Sequence, residues 1–261
     1  METKNRSYRL RAVALPNEHG AWGFLLEPLA ASLLIAPSFA AVFIVLLICG
    51  LFLTRQPLKV LLTDLAAGRW LAQSRAALLF VLGFSAIAVA GLAGVVYLAG
   101  TTPLIPLVLL LPFGAIQVYA DVKKQARNLL PELTGVIAIS ASSAAVLLAG
   151  GTGWKPALAL WGLLAARFVP SIVYVRNRLR LEKGKEYSFE APVILSTAGL
   201  LFGGWIYWMG LTGYLPILVL TILLFRAALG LSKYRKPVKA MKIGIAEVVY
   251  GAIMVVALAV G

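Results

Sequence analysis

The apolar residues of this chain are grouped in long blocks, and these blocks restrict the folds it can adopt more than any other feature. Each block has about 16 to 23 residues, enough for a helix to cross a hydrocarbon core of ~30 Å. Hydrophobic residues make up 61% of the chain and charged residues only 13%, with a mean hydropathy of +0.91. A soluble domain does not have this composition, and no stretch alternates in polarity as barrel strands do.

The blocks predict an all-α bundle of about nine spanning helices, in a single integral membrane domain that covers residues 1–261. The predicted spans are residues 18–36, 39–54, 76–98, 104–120, 132–150, 157–175, 191–209, 214–230 and 243–260. Segments rich in Pro, Glu and Gly open the first span at Pro16 and the fifth at Pro131. This similarity suggests a repeat of four plus four helices, followed by one more.

Basic residues predict the orientation of the bundle in the membrane. The chain has 24 Lys and Arg against 10 Asp and Glu, and almost all the basic residues fall in alternate gaps between the blocks. Only Lys155 falls in the other gaps, and only Arg167 and Arg226 fall inside spans. The positive-inside rule therefore places the N-terminus and the basic gaps in the cytoplasm. There the basic residues would contact anionic lipid headgroups, and we do not expect nucleic acid as a partner.

A few ionisable residues interrupt the spans, where each costs about 2.5–3.5 kcal/mol to insert. His19 and Glu27 share one face of the first span, separated by two helical turns. One face of the sixth span carries Arg167, Ser171, Tyr174 and Arg178. Glu27 and Arg167 either form a buried ion pair or line a cavity that opens to the cytoplasm, and the sequence leaves both alternatives open.

The remaining acidic residues near span ends favour a cavity on the cytoplasmic side. Asp64, Asp121, Glu132 and Glu247 all fall in the cytoplasmic half under this topology. The chain has one histidine and one cysteine, and it lacks the common nucleotide-binding and hydrolase motifs, so we predict no metal site. Neither a cofactor nor an oligomeric state can be named from these residues.

Several motifs resemble those of the YwiC-like family of bacterial membrane proteins. They are Pro16-Asn-Glu-His-Gly-Ala-Trp-Gly23, Arg55-Gln-Pro-Leu-Lys59, Asp121 through Arg127, Pro131-Glu-Leu-Thr-Gly135, Arg167-Phe-Val-Pro-Ser171 and Tyr174-Val-Arg-Asn-Arg-Leu-Arg180. The resemblance implies a multi-pass protein of the bacterial cell membrane. It does not imply a particular reaction.

At the level of topology the chain also resembles the UbiA superfamily of intramembrane prenyltransferases. Those proteins have nine helices, and their reaction site lies at the cytoplasmic loops after helices two and six. The corresponding segments here are 55–75 and 176–190, and both lack the Asp-rich motifs that hold magnesium in the superfamily. The resemblance implies an isoprenoid or phosphorylated lipid as ligand and a transferase, or a degenerate relative of one.

This likeness assigns roles to individual residues. Arg55, Lys59, Arg176 and Arg178 would bind phosphate, and Glu27, Arg167 and Tyr174 would line the substrate cavity. The candidate acid or base groups are Glu18, His19, Asp121 and Glu132.

Other interpretations fit the same residues. The histidine at the start of a helix is also a candidate structural hydrogen-bonding group, and the basic loops could serve topology alone. The in-span charges and the suggested repeat fit a transporter or permease, and a basic face fits a non-catalytic accessory protein.

Overall fold

The computed structural model of the protein describes residues 10–16, 19–123, 125 and 128–261, with only the backbone described at His19. All regular structure within these ranges is helical. The helices are α1 (Leu10–Ala14), α2 (His19–Ile35), α3 (Phe39–Ala66), α4 (Ala72–Ala99), α5 (Ile105–Leu109), α6 (Leu111–Val122), α7 (Leu129–Ser140), α8 (Ser142–Ala149), α9 (Trp154–Glu182), α10 (Glu190–Trp208), α11 (Tyr214–Leu231) and α12 (Ala240–Val260), with a 3-10 turn at Thr102–Leu104.

Seven described helical segments are long and apolar enough to cross a membrane, as judged by length and composition. They are α3, α4, α7 together with α8, α9, α10, α11 and α12. The segments Thr102–Leu109 and Leu111–Val122 raise the number to eight if this bent pair is one span. The apolar part of α2, Gly20–Ile35, is shorter than these spans. The all-α, multi-pass architecture is therefore confirmed, whereas the count of about nine is not.

Two helices continue well beyond the ends that the sequence predicted. The first basic gap was expected to begin at Arg55 and a later one at Arg176, but α3 runs to Ala66 and α9 to Glu182. Lys and Arg are good helix formers, and the first glycines able to end these helices are Gly68 and Gly184, with φ of +63° and +64°. The basic residues expected in loops therefore lie on helices. They are Arg55, Lys59, Arg176 and Arg178.

Two predicted spans are interrupted near their middle. Pro112 has no N–H to donate to Val108 and its ring crowds that carbonyl, so the chain bends by 43° between α5 and α6. Between α7 and α8, the Ser140 hydroxyl donates to the Ile137 carbonyl at 2.9 Å. Trp161 Nε1 of α9 also donates to Ser140 Oγ, at 3.1 Å. These hydrogen bonds occupy polar groups at the break between α7 and α8 that lipid could not satisfy.

The centre of the bundle is formed by α9 and by α7 with α8, whose apolar windows are more than half buried. Phe168 and Leu164 of α9 are fully buried together with Met254 of α12. By contrast, only 17% of the apolar window of α4 is buried, which suits contact with lipid tails. Because α9 touches α2, α7, α8, α10, α11 and α12, its polar residues can meet side chains from many helices.

The most extensive helix pairing in the described residues joins α3 and α4, and glycines permit it. A Cβ atom at Gly50 of α3 would lie 2.7 Å from the backbone nitrogen of Ala88. On α4, a Cβ atom at Gly91 would overlap the backbone of Leu47. Small residues at such contacts let helix backbones approach closely, which is a main source of association between helices in lipid.

We expect Gly91→Ala to lower stability by about 1–3 kcal/mol, because α3 and α4 must separate to accept the added methyl group. Thermal unfolding of the purified protein in detergent measures this loss. Gly83→Ala is the matched control, since a Cβ atom at that position of α4 meets no other atom within 4 Å. Equal melting temperatures for the two variants would contradict the prediction.

Candidate functional site

Asp121 of α6 holds two cations of α3. Its side chain is only 1% exposed, and Arg55 approaches it with Nε 2.6 Å from Oδ2 and Nη2 3.0 Å from Oδ1. This two-pronged contact is the strong, geometrically specific form of an Arg–carboxylate pair. Lys59, one helical turn further along α3, places Nζ 3.5 Å from Asp121 Oδ1. One buried carboxylate thus fixes two basic side chains.

The same group of polar residues extends across to α7 and α9. With the Gln117 amide oriented so that both of its groups are satisfied, its oxygen accepts from Arg55 Nη2 at 2.7 Å and its nitrogen donates to the Pro131 carbonyl. The next residue, Glu132, accepts from Arg176 Nη1 of α9 at 2.8 Å. We call the set Arg55, Lys59, Gln117, Asp121, Glu132 and Arg176 the charged layer. It joins α3 to α6, α7 and α9, near the ends of the last three helices that carry the basic connections. This side of the bundle is here called the basic side.

The charged layer borders the surface of the protein. The side chains of Arg55, Lys59 and Arg176 are between a quarter and about a third exposed, unlike Asp121. The basic side chains therefore have a route to molecules outside the bundle, while the carboxylate that orients two of them does not.

A second group of charges lies deeper, among spanning helices. Glu27 of α2 and Arg167 of α9 form an ion pair with Nε 2.6 Å from Oε1, and both side chains are almost fully buried. Arg167 Nη2 also donates to the backbone carbonyl of Glu247 in α12, at 2.9 Å. Of the two alternatives left open by the sequence, the structure shows the buried pair.

Arg226 and Glu247 form another ion pair beside the first one. Arg226 Nη2 donates to Ser171 Oγ at 3.3 Å, and its guanidinium lies 4.2 Å from the ring centre of Tyr174 and 5.1 Å from that of Tyr250. Such stacking on aromatic rings is favourable where the cation has lost its water. We call Glu27–Arg167 and Arg226–Glu247 the two buried pairs, and together they join α2, α9, α11 and α12.

Arg178 has a different role from the other predicted phosphate ligands. Its side chain is 4% exposed and donates to the carbonyls of Gly230 and Lys236, the latter at 2.5 Å, while Nη2 lies 2.8 Å from Glu182. These contacts tie the end of α9 to the end of α11 and the connection that follows. Because the guanidinium of Arg178 is engaged in these contacts within the protein, its role in this structure is structural.

The predicted site residues are thus divided among separate locations. The charged layer contains Arg55, Lys59, Asp121, Glu132 and Arg176. Around the two buried pairs lie Glu27, Arg167 and Tyr174, and Arg178 binds the end of α11. Glu18 and the side chain of His19 fall outside the described residues. Within the described part of the chain, no group of three or more His, Cys, Asp or Glu side chains could hold a metal ion.

Sequence reasoning missed the pairing of Arg226 with Glu247, although a signal for it was present. Arg226 lies five residues before the end of α11, and Glu247 lies seven residues after the start of α12. At 1.5 Å per residue, both are about 8–10 Å from the basic side, on helices adjacent in sequence. Opposite in-span charges at equal depth on consecutive helices predict an ion pair.

Comparison with known proteins identifies a family that the chain matches. The model of a family described as YwiC-like protein matches residues 15–147, just over half of the chain. The matched stretch includes α2 through most of α8, and with them Glu27, Arg55, Lys59, Asp121 and Glu132. No curated protein and no solved structure matches the chain significantly, so the likeness to the UbiA superfamily stays a hypothesis from topology.

Proposed function

The chain belongs to the YwiC-like protein family, and we propose that this member binds an amphipathic, phosphorylated or isoprenoid lipid at its charged layer. In this proposal the basic side faces the cytoplasm of a bacterial cell. The anionic headgroup contacts Arg55, Lys59 and Arg176, and the hydrocarbon chain stays in the bilayer beside the helices.

The observation that carries the proposal is the excess of cations in the layer. Among the described residues, two basic side chains of α3, Arg55 and Lys59, share the single carboxylate of Asp121. This part of the layer therefore has a net positive charge, and its two cations are partly exposed. Guanidinium groups already oriented by a carboxylate lose little freedom when they bind phosphate oxygens.

Charge near this layer adds to the attraction. The connection between α6 and α7 contributes Lys123, Lys124 and Arg127 in sequence, next to Asp121 and Glu132. Basic residues near a membrane surface each gain about 1 kcal/mol from anionic lipid. We therefore expect anionic headgroups to concentrate around the charged layer even before a specific ligand binds.

Prenyl transfer is the chemical step that would follow binding in this proposal. In a prenyl transfer, the carbon–oxygen bond to the diphosphate breaks, the acceptor takes the prenyl carbon, and a base takes the acceptor's proton. Glu132, whose side chain is 32% exposed, is the carboxylate of the layer that would act as that base, with Glu18 and His19 as further candidates from the sequence. Asp121 was also a candidate from the sequence, but its side chain is too buried for this role. A family member without this step would be a lipid-binding protein.

Binding can be tested with farnesyl diphosphate, farnesol and inorganic diphosphate as probes for the protein in lipid nanodiscs. We expect farnesyl diphosphate to bind most tightly, because only it has both the charge and the hydrocarbon chain. Lys59→Gln and Arg176→Gln should each weaken its binding by about 10-fold or more, since a hydrogen bond to a charged group contributes about 1.5–3 kcal/mol.

Two controls separate the charged layer from general basic charge. Lys185→Gln removes an exposed cation from another connection, and Lys155→Gln removes the exposed cation at the start of α9. Both should bind farnesyl diphosphate as the parent protein does. Equal losses in all four variants, or no binding at all, would argue against the charged layer as the site. Prenylation of an added lipid acceptor would establish the transfer step.

A further inference from the structure

A small cavity lies beside the two buried pairs, between α9, α10 and α11. Its lining includes Arg167, Ser171, Ser196, Leu220, Leu223 and Arg226. It has room for about one water molecule, and its four polar lining residues exceed the two partners that a buried water needs. The charged layer plays no part in it.

The polar groups around this cavity are mainly hydrogen-bond donors. A guanidinium has five N–H donors and no acceptor. Arg226 Nε has no hydrogen-bond partner within the described part of the chain, and Arg226 is mostly buried. The two serines supply hydroxyl groups, and Ser171 Oγ already accepts from Arg226 Nη2. No carboxylate is among the residues that line the cavity.

Buried donors without an acceptor are costly in a membrane interior, because lipid cannot replace the missing partner. The cost falls if a small acceptor occupies the cavity. Apolar contacts from Leu220 and Leu223 on the remaining wall would limit that acceptor to a compact species.

We propose that this cavity is a binding site for one small hydrogen-bond acceptor, a water molecule or a monovalent halide. The acceptor contacts the guanidinium of Arg226 and the hydroxyls of Ser171 and Ser196. It therefore links α10 to the two buried pairs. Either ligand meets the same donors. Water leaves the summed charge of the two buried pairs at zero, whereas a halide adds one negative charge next to two guanidinium groups.

The first test replaces Ser196 by valine, which fills the cavity with methyl groups and expels the acceptor. We expect a melting temperature lower by about 2–4 °C than that of the parent protein in detergent. Thr197→Val is the matched control on α10, because Thr197 is exposed and its hydroxyl donates only to the Val193 carbonyl of its own helix. A higher melting temperature for Ser196→Val would show that the cavity is empty and would overturn the proposal.

The second test identifies the acceptor by comparing sodium chloride, bromide and gluconate at equal ionic strength. Stabilisation that saturates with chloride or bromide, and that Ser196→Val abolishes, identifies a halide. A bromide scattering peak in the cavity would confirm it. Melting that is independent of the anion, together with the loss in Ser196→Val, identifies water.

Discussion

Replacing Arg167 by glutamine is expected to lower the stability of the bundle by about 3–5 kcal/mol, the cost of removing one partner from a buried ion pair. Glu27 would keep its buried position beside α9 without the guanidinium that compensates its charge. The hydrogen bond from Arg167 to the Glu247 carbonyl of α12 would be lost as well. Few other single substitutions in the described residues would affect three helices at once.

Thermal unfolding in detergent measures this loss, and a second variant tests its cause. Glu27→Gln alone should also destabilise, since it leaves Arg167 uncompensated. The double variant Glu27→Gln with Arg167→Gln should recover part of the stability, because two neutral amides can hydrogen-bond each other. Lys155→Gln controls for removing a positive charge from an exposed position. Additive losses in the double variant would contradict direct pairing.

These variants also bear on the transport hypothesis raised by charges within spans. The pair is closed in this structure, so a transport cycle would have to open it or exchange its partners. Uptake into proteoliposomes that is unchanged in Glu27→Gln, despite lower stability, would remove the main sequence-based reason for considering a transporter.

The sequence predicts the helical architecture well because the backbone of a long apolar block must satisfy its own hydrogen bonds in lipid, and a helix does so. It also predicts Glu27 and Arg167 as deep residues, since their depth follows directly from their distance to a span end. It is harder to predict which helices pack beside one another. Arg55, Asp121 and Glu132 are all placed near the basic side by the sequence, but nothing in a single sequence states that α3 lies beside α6.

Helix ends were mispredicted for a specific reason. The predicted helix ends before Arg55 and Arg176 are wrong, because Arg is a good helix former and the next glycines lie at 68 and 184. Pro112 is the sequence signal for the bend before α6, which the nine predicted spans do not include. The suggested four-plus-four repeat and the cytoplasmic orientation of the basic side stay predictions.

Gly251 of α12 determines whether the Glu27–Arg167 pair can form. A Cβ atom at this position would lie 2.6 Å from Glu27 Oε2 and 3.2 Å from Arg167 Nη2. The shorter distance is below normal contact, and both side chains are almost fully buried, which restricts how far they can move. A side chain at residue 251 must therefore displace α12 or separate the two charged groups.

We expect Gly251→Val to be as damaging as the loss of Arg167, with about 3–5 kcal/mol lost, because it opens a buried ion pair and also overpacks the interface. Gly244→Val on the same helix is the matched control, since a Cβ atom there meets no other atom within 4 Å. Both substitutions change helix propensity alike, so only the contact differs. If the loss of stability arises at the Glu27–Arg167 ion pair, Gly251→Val should lower the stability by less when Glu27→Gln and Arg167→Gln are already present. Equal cost in the two backgrounds would assign it to helix packing alone.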